Sequence, residues 1–227
     1  MKYKWLWFDL DNTLLDFSKS AQDAFRLLME ELGIDNTKEN KKIYNEINHA
    51  YWENFELGQV TLPIIKKERF QKFFDAIGFT FDGLEANNRY LNYIGANPYF
   101  IDGVQELLAY CSERKYRMAI ITNGMTLAQF PRLKKLKIDH FFEYVFVSEE
   151  IGISKPSIGY FNHCKEVTEL SNKDDVLIIG DNLSSDILGA NNFSADACWY
   201  NPKNKIQDGS YSIKYEISDM KKLMEIL

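Results

Sequence analysis

Residues 3–13 read YKWLWFDLDNT. The run is mostly aromatic and branched-apolar until Asp9, and a polar, turn-forming stretch follows. A short apolar run bounded in this way predicts a buried strand. Its acidic end marks where the chain leaves the core, so Asp9 and Asp11 sit at one end of a strand.

Downstream the pattern changes period. From residue 18 to about residue 93 the apolar residues recur at helical spacing: Ala21, Phe25, Leu28, Met29 and Leu32, then Ile43, Ile47, Ala50, Tyr51 and Phe55, then Phe70, Phe73, Phe74 and Ile77. Gly33, Gly58, Pro63 and Gly78 punctuate these segments. After Asn97-Pro98 strands and helices alternate. RMAIIT (117–122), YVFVS (144–148), VLIIG (176–180) and ACWY (197–200) read as strands. Residues 104–111, 127–136, 158–168 and 184–191 read as helices, with Pro131 expected to kink the second of these or to mark its first turn. Strands apolar on both faces that alternate with helices predict a parallel sheet covered on both sides. The fold class expected is α/β: a Rossmann-like parallel-sheet core of residues 1–15 and 96–227, with an α-helical segment, residues 16–95, inserted after the first strand. That insert leaves the sheet from its carboxyl edge, where open parallel sheets bind ligands, and is expected to act as a cap.

Composition narrows the partners. The net charge is −6 over 227 residues, and no basic stripe is present, so counterion release on nucleic acid is not an available driving force. No apolar run is long enough to span a bilayer, and Asp9 and Asp11 interrupt the N-terminal apolar stretch, which argues against a signal peptide and a membrane partner. Cys111, Cys164 and Cys198 form neither a CxxC pair nor an even set. A reducing, cytoplasmic location fits this pattern. Monomer and homodimer both remain open.

The chemistry lies at the predicted strand ends. The first strand delivers Asp9 and Asp11; the second Thr122, Asn123 and Gly124; a loop after the third Lys155; and the fourth Gly180, Asp181 and Asn182, with Asp186 a turn further on. Acids, an amine, a hydroxyl and exposed amides are the inventory for binding Mg²⁺ and a phosphoryl group. Asp9 is the candidate nucleophile. Asp11 is placed to protonate the leaving oxygen and then to activate water. Asp9, Asp181 and Asp11, the last through its backbone carbonyl, are the candidate metal ligands, with Mn²⁺ able to substitute for Mg²⁺. Lys155, Thr122 and Asn123 are the candidate phosphate contacts, with Lys155 also neutralising charge during catalysis. Asp186 is expected to orient Lys155 or a metal-bound water from behind.

DLDNT (9–13), TNG (122–124), KP (155–156) and GDNLSSD (180–186), in that order, resemble the four motifs of the haloacid dehalogenase-like hydrolase superfamily. The helical insert resembles that superfamily's cap of the first type. The stretches around 122–156 and 180–202 look like its bacterial pyrimidine 5′-nucleotidase-like subgroup. This resemblance implies a Mg²⁺-dependent phosphatase that forms an aspartyl-phosphate and cleaves UMP-, dUMP- or dTMP-like nucleotides. Pro131 and the Phe193-Ser194-Ala195-Asp196 stretch depart from the subgroup's pattern. The alternatives are a sugar-phosphate or phosphoglycolate phosphatase with the same core, and a non-catalytic phosphate-binding scaffold. A haloacid dehalogenase is not expected to carry Asp11, because a halide leaves without a proton. In the insert, Arg69 and the turn at Gly58 are candidate specificity elements. Tyr51, Trp52, Phe55, Phe70, Phe73 and Phe74 serve either base stacking or the helical core. His49, His140 and His163 match no motif.

Overall fold

A computed structural model describes residues 2–227. Six strands form one sheet: β1 (Trp5–Phe8), β2 (Arg117–Thr122), β3 (Tyr144–Val147), β4 (Val176–Gly180), β5 (Asp196–Tyr200) and β6 (Tyr215–Ile217). All pairings are parallel, in the order β3-β2-β1-β4-β5-β6. Strand order therefore reverses between β1 and β4, and the carboxyl ends at that reversal form the crevice in which such sheets hold ligands. Every residue of β1 and β4 is buried, as expected of central strands covered on both faces. β6 carries only three residues of mixed character, too short to announce itself in the sequence.

The helices are α1 (Phe17–Leu32), α2 (Lys38–Glu56), α3 (Leu62–Ile77), α4 (Gly83–Ala96), α5 (Val104–Glu113), α6 (Thr126–Leu136), α7 (Ser148–Ile151), α8 (Ile158–Val167), α9 (Leu188–Phe193) and α10 (Leu223–Ile226). No helix among the described residues is long and apolar enough to cross a membrane. The chain divides into two compact units, residues 1–17, 99–126 and 136–227, and residues 18–98 and 127–135.

In the first unit one face of β1 packs Trp5 and Trp7 into a core with Phe161, Ile178, Phe193 and Trp199. Phe193 stacks on Trp7 and on Phe161, each at 5.8 Å between centroids. The departure at 193–196 thus has a packing reason: Phe193 is fully buried there, and Ser194 ends α9 in the left-handed region at φ 63°. The segments that leave and return from the insertion are tied to each other by Asp16 N–H to Tyr99 O (2.9 Å) and Ile101 N–H to Leu14 O (3.1 Å).

In the second unit Phe25, Tyr44, Phe70, Phe73 and Tyr90 form an aromatic core. Most of α6 belongs to this unit, although its sequence position groups it with the sheet's connections. Pro131 lies inside α6, where it supplies no N–H to the carbonyl four residues back, that of Leu127. A Cβ added at Gly95 of α4 would stand 3.1 Å from Pro131 Cβ and 3.7 Å from the Leu127 carbonyl oxygen. The unexpected proline is therefore matched by a glycine that lets α4 approach it.

Candidate active site

Asp9 immediately follows β1, and its N–H still donates to Ile179 O of β4 at 2.8 Å. The backbone of Asp9 is therefore held by the sheet while its side chain stands at the carboxyl edge. Asn12 then turns the chain at φ 61°, a left-handed conformation that Asn tolerates better than most residues. Its N–H donates to Leu15 O at 2.7 Å.

Lys155 connects the elements. It is 2% exposed, and its ammonium donates to Asp9 Oδ1 (2.7 Å), Asp186 Oδ1 (2.7 Å) and Ile121 O (2.8 Å). An ammonium has three hydrogens, so its donor capacity is fully committed. Asn123 fixes the lysine from behind: its Nδ2 donates to Lys155 O (2.9 Å) and its Oδ1 accepts from Lys155 N–H (3.0 Å). The Asn123 side chain, expected on phosphate, is thus engaged by the Lys155 main chain. Thr122, 1% exposed, accepts from Gly124 N–H at 3.0 Å and shapes the turn after β2.

On the β4 side, Asn182 Oδ1 accepts from Ser184 N–H (2.8 Å) and Ser185 N–H (3.1 Å) and so starts the π-helical turn Leu183–Ile187. That turn carries Asp186 back against the strand. Asp186 Oδ2 accepts from Asn182 N–H at 3.1 Å. A Cβ at Gly180 would lie 2.5 Å from Asp186 Cβ and closer still to its carboxylate. Only glycine leaves room for the acid there. Trp199 Nε1 donates to Asp181 O at 3.0 Å and steadies the same turn from β5.

Oxygen atoms of Asp9, Asp181 and Asp186 all lie within 4.8 Å of one another. Asp186, expected to orient Lys155 or a metal-bound water, bonds the Lys155 ammonium, and its carboxylate also lies in this acidic group. Asp11 is outside that group, yet its charge is felt at both Asp9 and Asp181. Burial pushes the Asp9 carboxyl well above its usual range, and Asp186, Asp181 and Asp11 push the same way against Lys155. Burial and Asp186 likewise push Asp181 up to about 7. Burial alone would lower the Lys155 ammonium, but Asp186 and Asp9 outweigh it and the net direction is upward. Asp9 Oδ2 is buried without a hydrogen-bond partner. An orphaned carboxylate oxygen among converging acids, all hard oxygen donors, fits a small divalent cation.

The other two candidates lie in the helical unit. Arg69 is 2% exposed; it donates to Asn48 Oδ1 (2.8 Å) and Asn87 Oδ1 (2.7 Å) and lies over the rings of Phe70 and Tyr90. Gly58 is exposed at φ 71° in the turn between α2 and α3. Among the aromatics, Phe70, Phe73 and Phe74 are fully buried, whereas Tyr51, Trp52 and Phe55 are half-buried.

The family model of the haloacid dehalogenase-like hydrolases matches residues 6–200. The chain belongs to this family. HAD-hydrolase YfnB of Bacillus subtilis is 34% identical over 100% of this chain and 96% of its own length. A magnesium-bound YfnB crystal structure superposes with a TM-score of 0.92 at 33% identity, covering 100% of this chain and 99% of that one. Pyrimidine 5′-nucleotidase PynA of Streptococcus pneumoniae is 32% identical over 100% of this chain and 96% of its own length. A glyceraldehyde 3-phosphate phosphatase of Pyrococcus abyssi is 31% identical over 87% of this chain and 81% of its own length. In this haloacid dehalogenase-like hydrolase, Asp9, Asp181, Asp186 and Lys155 come together at the reversal point of the sheet.

Proposed function

We propose that this hydrolase is a Mg²⁺-dependent phosphatase of phosphate monoesters that works through a phosphorylated Asp9 and prefers pyrimidine nucleoside monophosphates. The observation that carries the chemistry is the asymmetry of Asp9: Oδ1 is held by Lys155, while Oδ2 has no partner and stands among acids.

Asp9, Asp181 and Asp186, with the Asp11 carbonyl, would hold the cation. When bound, it keeps these carboxylates ionised and offsets the repulsion between them and a phosphate dianion. The lysine fixes the rotamer of Asp9, so the attacking oxygen is presented without a search. Attack forms the Asp9 O–P bond as the ester P–O bond breaks, and the Asp11 carboxyl gives its proton to the departing alkoxide. Asp11, now a carboxylate, takes a proton from water. That water attacks phosphorus, the Asp9 O–P bond breaks, and phosphate leaves with Asp9 restored. Asn123 acts by holding Lys155 in place. The Thr122 hydroxyl lies at the same edge as a phosphate contact.

The full-length match to PynA supports the pyrimidine nucleotide as substrate. The helical unit is inserted between β1 and the rest of the sheet, the sequence position of the family's cap, and among its aromatics Trp52 and Phe55 are half-buried. The P. abyssi relative favours a second reading, a triose-phosphate phosphatase, over a shorter span. Three free, buried cysteines suit a reducing cytoplasm.

Phosphate release with Mg²⁺ from UMP, dUMP, dTMP, AMP, GMP, glucose 6-phosphate, phosphoglycolate and glyceraldehyde 3-phosphate tests the assignment. The pyrimidine nucleotides are expected to lead in kcat/KM. A lead for the triose phosphate would replace the substrate while leaving the core chemistry in place. No release from any ester would sink both.

A further inference from the structure

Asp181 stands one residue beyond the point where β4 and β5 part. The ladder between those strands ends with Gly180 opposite Trp199. Past it, the Asp181 carbonyl is held by a side chain of β5, since Trp199 Nε1 donates to it at 3.0 Å. The N–H of the same peptide group belongs to Asn182 and donates to Asp186 Oδ2 at 3.1 Å. A peptide group is rigid and planar. The one between Asp181 and Asn182 is thus gripped at its oxygen by the indole and at its N–H by an acid of the site.

The run of bonds continues from there. Asp186 Oδ1 accepts from the Lys155 ammonium at 2.7 Å, and the same ammonium donates to Asp9 Oδ1 at 2.7 Å. Trp199 therefore stands at the far end of a connected line: indole, peptide 181–182, Asp186, Lys155, Asp9. The π-helical turn hangs on the same peptide. Asn182 O accepts from Asp186 N–H (3.0 Å) and Ile187 N–H (3.2 Å), and Asn182 Oδ1 accepts from the Ser184 and Ser185 N–H groups. A rotation of peptide 181–182 would move Asp181 on one side of it and the turn that carries Asp186 on the other.

A buried indole usually finds an acceptor somewhere, so the bond alone does not single out Trp199. Trp7 does. It is buried in the same core cluster as Trp199, yet its Nε1 has no hydrogen-bond partner among the described residues. Packing in this core tolerates an indole without an acceptor. The indole that is partnered reaches the carbonyl of an acid of the site.

We propose that Trp199 is a positioning residue for the metal ligands: its N–H fixes the peptide between Asp181 and Asp186, so that both carboxylates are aimed before the cation arrives. The assignment rests on the phosphatase reading, in which Asp9, Asp181 and Asp186 hold Mg²⁺. That ion demands near-ideal octahedral geometry. Ligands left to turn bind it more weakly than ligands already set, and groups that orient ligands from behind carry a measurable share of metal affinity.

The experiment is calorimetric titration of Mg²⁺ into metal-free protein, with thermal unfolding in EDTA for every variant. Trp199→Phe is expected to weaken Mg²⁺ binding about tenfold, as loss of a group that orients metal ligands does. Trp7→Phe makes the same change of ring in the same core and has no such bond to lose. It should lose stability in the same way and leave Mg²⁺ affinity unchanged. 3-Benzothienylalanine at position 199, with sulfur in place of the indole N–H, keeps the ring's shape and removes the donor. It should weaken Mg²⁺ binding as Trp199→Phe does while Tm stays near that of the parent, and it decides alone if Trp199→Phe does not fold. Unchanged Mg²⁺ affinity in either position-199 variant would overturn the assignment, as would an equal loss in Trp7→Phe. The parent protein separates the two levels. Mg²⁺ binding by the parent with unchanged affinity in the variants removes Trp199 alone; no Mg²⁺ binding by the parent removes the metal-dependent reading beneath it.

Discussion

Replacing Gly180 by alanine puts one methyl group where the Asp186 side chain already is. The new Cβ would stand 2.5 Å from Asp186 Cβ, whereas unstrained carbon contacts begin near ~3.5 Å, so something must move by about 1 Å. The strand has little freedom, because Gly180 is buried between β1 and β5. The acid must give way, yet Asp186 is fully buried and tied to Lys155 at 2.7 Å and to the Asn182 N–H at 3.1 Å. A shift of this size takes the lysine contact beyond hydrogen-bonding distance. Overpacking of a tight interior costs about 1–3 kcal/mol. Loss of a charge-assisted hydrogen bond adds about 1.5–3 kcal/mol. Reduced unfolded-state entropy from the Gly→Ala change offsets at most ~1 kcal/mol. A net loss of about 3 kcal/mol corresponds to a fall in Tm of roughly 6–12 °C for a chain of this size. Since Lys155 orients Asp9, a displacement of about 1 Å should also lower kcat by ~10²-fold. Thermal unfolding in EDTA, together with kcat for an aryl phosphate, reads both effects. Gly159→Ala in α8 is the control. Its added Cβ would meet nothing nearer than 3.5 Å, and a helical alanine should be neutral or stabilising by up to ~1 kcal/mol. A Gly180→Ala protein with unaltered Tm and kcat would show that the close approach of Asp186 to β4 has no bearing on the site.

Asp9→Asn should lower kcat by about 10⁴-fold or more, because the amide keeps the shape and loses the nucleophile; steady-state turnover within tenfold of the parent would end the aspartyl-phosphate mechanism. Ser194 occupies the left-handed position after α9 at φ 63° and is exposed, so Ser194→Gly should stabilise by about 0.5–1 kcal/mol and raise Tm by a few degrees, and a fall in Tm would contradict this account of the cap. Burial pushes the Cys111 and Cys198 thiols up to about 12 and raises that of Cys164. An aromatic disulfide reagent should therefore find no fast thiol in the native protein and three after unfolding, whereas a rapid native reaction would mean that a cysteine is reached without unfolding.

Much of this site was legible because its residues interrupt apolar runs. Asp9 ends YKWLWF, Thr122 ends RMAII and Asp181 follows VLIIG, and a polar residue at the end of a buried parallel strand can only stand at the sheet's edge. The helical insert was legible for the same kind of reason, since its period differs from that of the strands around it. What failed to show is whatever depends on contacts between distant residues. Nothing in TNG says whether the Asn123 amide meets a ligand or the main chain of Lys155, and that choice is made 32 residues downstream. Asp186 lies one turn beyond Asp181, and sequence spacing does not say how close it comes to the other acids; the π-helical turn and the bare Cα of Gly180 bring its carboxylate to Lys155 and into the group with Asp9 and Asp181. Arg69 reads as a candidate specificity element, and its surroundings do not show in the sequence: two asparagines and two aromatic rings from its own unit surround it.

The departures from the family pattern belong to this second class. Pro131 and Phe193 look like irregularities when read along the chain. Against the structure, each has a partner that accommodates it: Gly95 for the proline, and the Trp7 and Phe161 rings for the phenylalanine. None of these partners is itself one of the residues gathered at the sheet edge. These substitutions therefore change how the helices pack, not the chemistry at the sheet edge. A site assembled around strand ends shows its acids in the sequence. The cation that completes it, Lys155, arrives on a loop, and its position is set by hydrogen bonds that no local pattern records.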